Sequence, residues 1–189
     1  VLRADRFVVT MDKAFGEVIR ACAAPRPDHP ETWISDRIIA SYTQLHRAGH
    51  AHSIECGLHQ DNGPENEASP PQLVGGLYGV SFARVFCGES MFSHADNASK
   101  VALCWLVAVM RHAGFRLLDC QFMTDHLARM GATQLPQAMY LKALAGARGE
   151  PASSLRQSFS DFITERGANA LVQASSPGKR IAQSLTQTS

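Results

Sequence analysis

The order of hydrophobic and polar residues divides the chain into segments typical of strands and segments typical of helices. Strands are predicted where β-branched and aromatic residues run together or alternate with polar ones, and helices where apolar residues recur at helical spacing. The predicted strands are Phe7–Thr10, Ala51–Cys56, Leu73–Val80, Ala83–Gly88 and Phe115–Phe122, with Leu135 as the start of a last one, and the predicted helices are Asp12–Ala24, Ser35–Gly49, Asn97–His112, Thr124–Met130 and Pro136–Leu144.

The helix predicted at Asn97–His112 has apolar residues around most of its circumference, which predicts deep burial. Three consecutive strands precede it and a further strand follows it. This order resembles the plan of the GNAT acyltransferase fold, an analogy of fold that leaves the function open. We therefore predict an α/β (α+β) fold, in which a mixed, mostly antiparallel sheet is flanked by helices.

Two changes of composition suggest how the chain is organised. The acidic segment 59–71 contains Pro and Gly and lacks apolar periodicity, so it predicts a long solvated hairpin loop. After about residue 150 the composition shifts to Ser, Gln, Ala and Thr, so we predict a GNAT-like domain over 1–150 and a C-terminal extension over 151–189, disordered beyond Gln173. One amphipathic helix that docks on the domain is predicted within the extension from Leu155, Phe159, Phe162 and Ile163.

The balance of charges limits the partners that can be expected. The chain of 189 residues has a formal net charge of +1 at pH 7. A protein that binds nucleic acid mainly by neutralising phosphates should be clearly basic. Any nucleic-acid contact is therefore expected to be local, or concentrated on the nucleotide end.

The cysteines and the apolar runs bear on the cellular compartment. There are 5 cysteines, none in CxxC spacing and none in a His/Cys cluster with the spacing of zinc ligands. This pattern predicts free thiols in a reducing compartment and no metal site. No apolar run approaches the ~20 residues of a membrane span, and no secretory leader is evident. We expect a soluble cytoplasmic protein with no membrane partner.

The sequence GESMFS, at 88–93, lies between a predicted strand and the start of the Asn97–His112 helix. A carboxylate at the end of a strand that faces a helix N-terminus can accept backbone N–H bonds or orient a substrate amine. Glu89 is therefore a candidate site residue. The alternative is a carboxylate that caps the helix or forms an ion pair at the surface.

A second acidic position lies in the sequence FRLLDCQF. Asp119 and Gln121 are two residues apart, so in a strand both side chains would lie on one face of the sheet. A carboxylate beside an amide among apolar neighbours is costly to bury without partners. The residues alone leave two interpretations open, a satisfied polar pair at the end of a strand and a functional pair.

Glycines are missing where a GNAT enzyme that uses acyl-CoA has them. Such enzymes place a Gly-rich loop before the central helix, where backbone N–H groups hold the pyrophosphate. The corresponding segment here, SMFSHADNASK, contains no glycine, which argues for another acyl donor. Gly75 and Gly76 lie inside a predicted strand without phosphate-loop spacing, so they indicate a bulge or a close backbone approach.

Together, the segments LHRAGHAHSIE, LVGGLYGV, RVFCGESMFS, NASKVAL, LLDCQ and HLARMGATQLP resemble the leucyl/phenylalanyl-tRNA–protein transferase family. They occur in the order and near the spacing of that family over about residues 7–145. GESMFS followed by NASK and then DCQ is the most specific combination. The family begins with a smaller N-terminal domain, and the resemblance places this chain after that domain.

The resemblance implies a GNAT-like domain that binds the 3′ end of Leu-, Phe- or Met-tRNA and transfers the aminoacyl group to an N-terminal Arg or Lys of a protein, which then becomes a target for proteolysis. It implies no metal and no coenzyme, and we expect a monomer. Asp119 and Gln121 would be the catalytic pair, with Glu89 beside the reacting amine. Trp33 would stack on the terminal adenine. The apolar pocket for the aminoacyl side chain would include Leu77, Phe86, Leu103, Leu106 and Leu118.

Two other classes of protein remain as alternatives. One is another aminoacyl-tRNA-dependent transferase with a GNAT-like fold, such as the peptidoglycan-bridge enzymes or the leucyl transferases that prefer acidic N-termini. The other is a non-catalytic module that binds basic N-termini; it would need Glu89 but neither Asp119 nor the apolar pocket.

Overall fold

The structure is a computed structural model that describes residues 6–25, 31–59 and 70–168. Within these residues it contains five strands and six helices, which we number in chain order. The strands are β1 (Val8–Met11), β2 (Ala51–Leu58), β3 (Gln72–Phe82), β4 (Val85–Ser93) and β5 (Leu117–Asp119), and the helices are α1 (Phe15–Ala23), α2 (Asp36–Arg47), α3 (Ala98–Ala113), α4 (Asp125–Arg129), α5 (Gln137–Gly146) and α6 (Leu155–Ala168).

The strands form one mixed sheet in the order β1-β2-β3-β4-β5. The pairings of β1 with β2, β2 with β3 and β3 with β4 are antiparallel, and that of β4 with β5 is parallel because α3 carries the chain across the sheet between them. The predicted fold class, a mostly antiparallel mixed sheet flanked by helices, is confirmed. Its relation to the GNAT fold stays a prediction.

Helices cover both faces of the sheet, and the alternation of side chains along β3 shows how the two faces divide. Leu77 belongs to the apolar cluster that contains most of α3, whereas the next residue, Tyr78, belongs to the cluster formed with α1. α3 is buried around most of its circumference, as its sequence predicts. The central sheet therefore has a fully covered core on the side of α3, and α1 and α2 lie on the other side.

At Gly75 the first residue of α3 lies close against the sheet. A Cβ atom on Gly75 would lie 2.4 Å from the Cβ of Ala98, the first residue of α3. A Cβ on the adjacent Gly76 would lie 2.7 Å from the carbonyl oxygen of Ile54 on β2. The prediction of a close backbone approach at these glycines is confirmed, because both are in van der Waals contact with a neighbouring element.

We predict that Gly75→Ala lowers the free energy of unfolding by about 1–3 kcal/mol, the usual cost of overpacking a closely packed interior. Gly146→Ala is the matched control, since the Cβ position at the end of α5 has no described atom within 4 Å apart from those of its chain neighbours and of the helix backbone around it. It should leave stability unchanged or raise it slightly. Urea unfolding of both variants measures the difference, and equal stabilities would contradict the close contact between β3 and α3.

Most elements differ from the predicted boundaries by a few residues, and three differences affect the region of β4, β5 and α5. β4 extends to Ser93 because its pairing with β3 continues as far as Gly75. β5 ends at Asp119, before the predicted Phe122, because Gln121 adopts a left-handed conformation with φ of 60° that a strand cannot accommodate. No strand begins at Leu135 in the described residues; that side chain is exposed and the next residue is the N-cap of α5.

Helix α6 packs on α3, with the rings of Phe159 and Trp105 5.2 Å apart. Arg156 of the same helix donates a hydrogen bond from Nε to Asp12, at the end of β1. The division into a catalytic domain and an extension stays a prediction. Residues 60–69 of the loop predicted at 59–71, and the predicted disorder beyond Gln173, fall outside the described residues.

Asp12 is a nearly buried carboxylate with several donors around it. Its side chain is 5% exposed and accepts hydrogen bonds from the backbone N–H of Ser53 (2.9 Å) and from Arg156, and its Oδ2 lies 2.8 Å from Nδ1 of His52. Burial raises the pKa of Asp12, but His52 and the hydrogen bonds from Arg156 and Ser53 together lower the pKa below its ordinary value of 3.8. The ionised carboxylate therefore stabilises the folded state.

A group with a lowered folded-state pKa contributes stability above its unfolded pKa, and loses it as the pH falls through the folded value. We predict that Asp12→Asn is less stable than the parent at pH 7 by about 1.5–3 kcal/mol, the range for hydrogen bonds to a charged group. Asn also tolerates the left-handed backbone at this position, where φ is 58°. The two stabilities should converge as the pH falls below the ordinary Asp value of 3.8. The other carboxyls titrate in both proteins, so their effect cancels in the difference between the two free energies of unfolding. If that difference did not change between pH 7 and pH 3, the proposed role of Asp12 would be contradicted.

Candidate active site

The candidate active site lies where β4 and β5 separate. The two strands pair over three positions, from Val85 with Leu117 to Cys87 with Asp119. Beyond that point β4 continues along β3, and Gly79 pairs with Gly88 while Tyr78 pairs with Ser90. Glu89 is thus the extra residue of a β-bulge. Bulges redirect side chains, and this one lies beside the opening between the two strands.

The predicted trio of polar residues is brought together at this opening. The amide Nε2 of Gln121 lies 3.2 Å from Oε2 of Glu89 and 3.2 Å from the carbonyl oxygen of Gly88, and donates to both. The backbone N–H of Gln121 donates to Oδ1 of Asp119 at 2.8 Å. A bulge on β4 and a turn after β5 therefore bring two carboxylates to Gln121, Glu89 to its side-chain amide and Asp119 to its backbone N–H.

The local geometry corrects two sequence-based expectations. Glu89 was expected just after a strand, but β4 runs through it, and the bulge gives it its direction. Asp119 and Gln121 were expected on one face of a continuous strand, but β5 ends between them. They meet because the Asp119 carboxylate closes a short turn onto the backbone of Gln121, a local hydrogen bond typical of Asp.

Two tyrosines that the sequence did not single out complete the cluster. The hydroxyl of Tyr140, on α5, donates to Oδ2 of Asp119 at 2.9 Å. Tyr42, on α2, has its pKa raised to about 12 by burial and then by the charge of Glu89 and a hydrogen bond to it. The hydrogen bond to Asp119, and then burial, raise the pKa of Tyr140 as well, so both phenols are protonated donors at neutral pH. The spacing of apolar residues could not mark these tyrosines as site residues. Tyr42 fits the apolar side of α2, and Tyr140 lies in a helix without buried residues.

A cavity of about 1190 Å³ opens beside this cluster, between α3, β5 and the segment that leads from Cys120 into α5. Asp119 and Gln121 lie on its wall, as do Leu103 of α3 and Leu118 of β5. The cavity thus combines polar groups at the end of β5 with an apolar surface on α3, an arrangement typical of sites for small ligands.

The other predicted pocket residues lie deeper or elsewhere. Leu77, Phe86 and Leu106 are 3%, 0% and 1% exposed and pack in the core with α3, behind the cavity wall. They are on the same side of the sheet as Leu118. Trp33 is 55% exposed, and its neighbour Ile34 belongs to the cluster of α1. The structure does not bring Trp33 to the cavity.

The thiols and the acidic groups limit the chemistry of the site. Burial, followed by the charges of Asp119 and Glu89, raises the pKa of Cys87 to about 11, so this thiol is protonated at neutral pH and is a poor nucleophile.

Among the described residues no group of three or more His, Cys, Asp or Glu could hold a metal ion. In the same part of the chain no helix is long and apolar enough to cross a membrane. The cluster is suited to holding a cationic or amino group and to orienting it.

Comparison with known proteins decides the family. The family model for leucyl/phenylalanyl-tRNA protein transferase matches residues 1–145. The chain belongs to this family. It is 49% identical over 215 residues to the leucyl/phenylalanyl-tRNA–protein transferase of Novosphingobium aromaticivorans, an alignment that covers 100% of this chain and 78% of that protein. The family assignment made from GESMFS, NASK and DCQ is thereby confirmed, and with it membership of a family of aminoacyltransferases.

Two further relatives of the same name show how much of the length is shared. The protein of Rhizorhabdus wittichii is 53% identical over 148 residues, which cover 78% of this chain and 55% of the relative. That of Zymomonas mobilis is 54% identical over 147 residues, which cover 78% of this chain and 51% of the relative. The chain therefore spans about half the length of these two transferases.

Leu103 is both a core residue and part of the cavity wall, so its truncation should be costly. We predict that Leu103→Ala lowers the free energy of unfolding by about 2–5 kcal/mol, because its side chain is 6% exposed. The matched control is Leu141→Ala on α5, where the side chain is 54% exposed, and it should stay within about 0.5 kcal/mol of the parent. Urea unfolding measures both. A Leu103 variant as stable as the control would show that α3 is not packed as described.

Proposed function

We propose that this member of the leucyl/phenylalanyl-tRNA–protein transferase family moves a leucyl, phenylalanyl or methionyl group from the 3′ end of its tRNA to a protein that begins with Arg or Lys. The product carries a new N-terminus that marks it for degradation. The observation that carries the proposal is the pair of Asp119 and Gln121 on the wall of an apolar cavity, with Glu89 hydrogen-bonded to Gln121. We further propose that the protein acts as a monomer in the cytoplasm, where aminoacyl-tRNA is present.

The reaction needs little covalent help from the protein. The acceptor α-amine attacks the ester carbonyl, an amide bond forms, and the 3′-oxygen of the tRNA leaves with the proton that the amine gives up. An aminoacyl ester is already activated, so holding the two reactants in line supplies much of the rate. A protonated Cys87 fits this direct transfer, because no thioester intermediate is required.

The hydrogen bonds of Gln121 suggest how the amine is held. Its Nε2 donates to Glu89 and to the carbonyl of Gly88, so the carbonyl oxygen of the amide lies on the opposite side of the group. That oxygen can accept a hydrogen bond from the attacking amine and so polarise its N–H bond. In a second arrangement Glu89 holds the acceptor cation and orientation alone accounts for the rate. The first arrangement places the amine at the carbonyl oxygen of Gln121, and the second places it at the carboxylate of Glu89.

The two faces of the sheet suggest where the parts of the donor lie. Leu103 and Leu118 form an apolar wall for the aminoacyl side chain on the α3 face. Trp33 precedes α2, the helix whose Tyr42 reaches Glu89, so the adenine could stack there on the other face. The opening between β4 and β5 would then lie between nucleotide and side chain. In this proposal Leu77, Phe86 and Leu106 form the floor beneath the pocket.

The decisive test is transfer of radiolabelled leucine from tRNA to a peptide that begins with Arg, beside matched peptides that begin with Lys, Glu or Ala. The proposal expects product with Arg and Lys. Product with Glu would instead favour the leucyl transferases that prefer acidic N-termini. Binding of an Arg peptide without transfer, and without binding of puromycin as an aminoacyl-adenosine mimic, would favour the non-catalytic module.

For the catalytic pair we predict that Asp119→Asn slows transfer by roughly 10²-fold or more, the usual scale for a lost acid–base or polarising group. The variant should melt close to the parent, since Asn matches the shape of Asp and can still accept the hydrogen bond from Gln121. Thermal melts and transfer rates are measured on the same preparations. An early melt with activity lost in proportion to unfolded protein would make Asp119 structural and leave the chemistry to Glu89 and orientation.

A further inference from the structure

Helix α5 borders the cavity but is not held by burial in the core. Gln137 and Tyr140, both in this helix, lie on the cavity wall. None of the residues Gln137–Gly146 is buried, and Met139 and Leu141 are 52% and 54% exposed. The position of this helix therefore depends on contacts at its ends and on its polar side chains.

Arg84 anchors the C-terminal end of α5. This residue lies in the turn between β3 and β4, and its guanidinium donates to the carbonyl oxygens of Gly146 (3.0 Å) and Arg148 (2.7 Å). Its backbone N–H donates to the carbonyl of Ala147 at 3.1 Å. The last carbonyls of a helix lack partners within the helix and favour a cation, so these bonds both satisfy and position that end.

Tyr140 anchors the other half of the helix, and it does so on the catalytic pair. Its hydroxyl donates to Oδ2 of Asp119, while Oδ1 of the same carboxylate accepts from the backbone N–H of Gln121. The hydrogen bond to Asp119, and then burial, raise the pKa of Tyr140, so the phenol keeps its proton and remains a donor at neutral pH. The two oxygens of Asp119 are thus engaged from opposite sides.

This arrangement matters because the backbone of Gln121 is strained. Its φ of 60° is uncommon for a residue with a side chain and costs energy unless the surroundings enforce it. The Asp119 carboxylate bonds to that backbone, and Tyr140 limits the rotation of the carboxylate. The direction of the Gln121 side chain toward Glu89 then depends on the phenol of α5.

We propose that Tyr140 is a positioning residue of the transfer reaction. It acts through Asp119, by holding the carboxylate in the rotation that fixes Gln121. The inference rests on the proposed function of the Asp119–Gln121 pair. It adds a residue from a helix that lies outside both the sheet and the core.

The kinetic test compares Tyr140→Phe with Leu141→Ala, an exposed neighbour on the same helix. Tyr140→Phe should lower kcat by about 10- to 100-fold, the range that corresponds to one hydrogen bond to a charged group. The KM values for Leu-tRNA and for an Arg-initiated peptide should change by less than about twofold, because the lost hydrogen bond does not contribute to ground-state binding of either substrate. Leu141→Ala should keep kcat within about twofold. An unchanged kcat, or a loss explained by KM or by unfolded protein, would overturn the proposal.

A double-mutant cycle separates positioning through Asp119 from an independent effect. In the Asp119→Asn background, Tyr140→Phe should change kcat by less than about twofold, since residues that act as a unit are not additive. The same factor of loss in both backgrounds would show that Tyr140 acts by another route, and would overturn the proposal.

A measurement without substrate keeps this inference separable from the proposed function. In a ¹H–¹⁵N spectrum of the full chain, Tyr140→Phe should shift the backbone amide of Gln121, and Leu141→Ala should leave it in place. An unmoved Gln121 amide overturns the positioning role even if the parent transfers leucine. If Tyr140→Phe shifts the Gln121 amide but the parent transfers no leucine, the contact of Tyr140 with Asp119 is supported. The proposed function, and with it any role of Tyr140 in transfer, is then refuted.

Discussion

The separation of β4 from β5 is the constraint on which the site depends. The two strands pair in parallel over three positions, and their pairing ends at Cys87 and Asp119. β4 stays with β3 and acquires a bulge at Glu89, while the chain after β5 turns at Gln121. The backbone groups and side chains that a longer ladder would have paired are thereby free to meet one another across the opening.

The opening joins two environments that the sheet otherwise keeps apart. On one face α2 contributes Tyr42 to Glu89, and on the other α3 and β5 contribute the apolar wall of the cavity. Glu89 and Gln121 bond to each other between these faces. A reaction that unites a polar acceptor with an apolar donor needs such a boundary, because each reactant can be held in the environment that suits it.

The sequence predicted what is encoded locally. The helices and strands, the buried character of α3 and the close approach at Gly75 follow from periodicity and from glycine placement. The resemblance named Asp119, Gln121 and Glu89, and the structure gathers them, but by a bulge and a left-handed turn that periodicity does not register. Tyr140 and Arg84 escaped notice because their partners are distant in the chain, at separations of 21 and 62 residues. Such contacts depend on tertiary geometry and leave no local pattern.

The protonated state of Cys87 has a consequence for the protein under oxidative stress. Peroxides attack the thiolate far more readily than the thiol, so a cysteine whose pKa is about 11 reacts slowly at neutral pH. Part of that shift comes from Asp119 and Glu89. Burial is the larger cause of the raised pKa, and the negative charges that bond to Gln121 add to it, so together they make the neighbouring sulfur slow to oxidise.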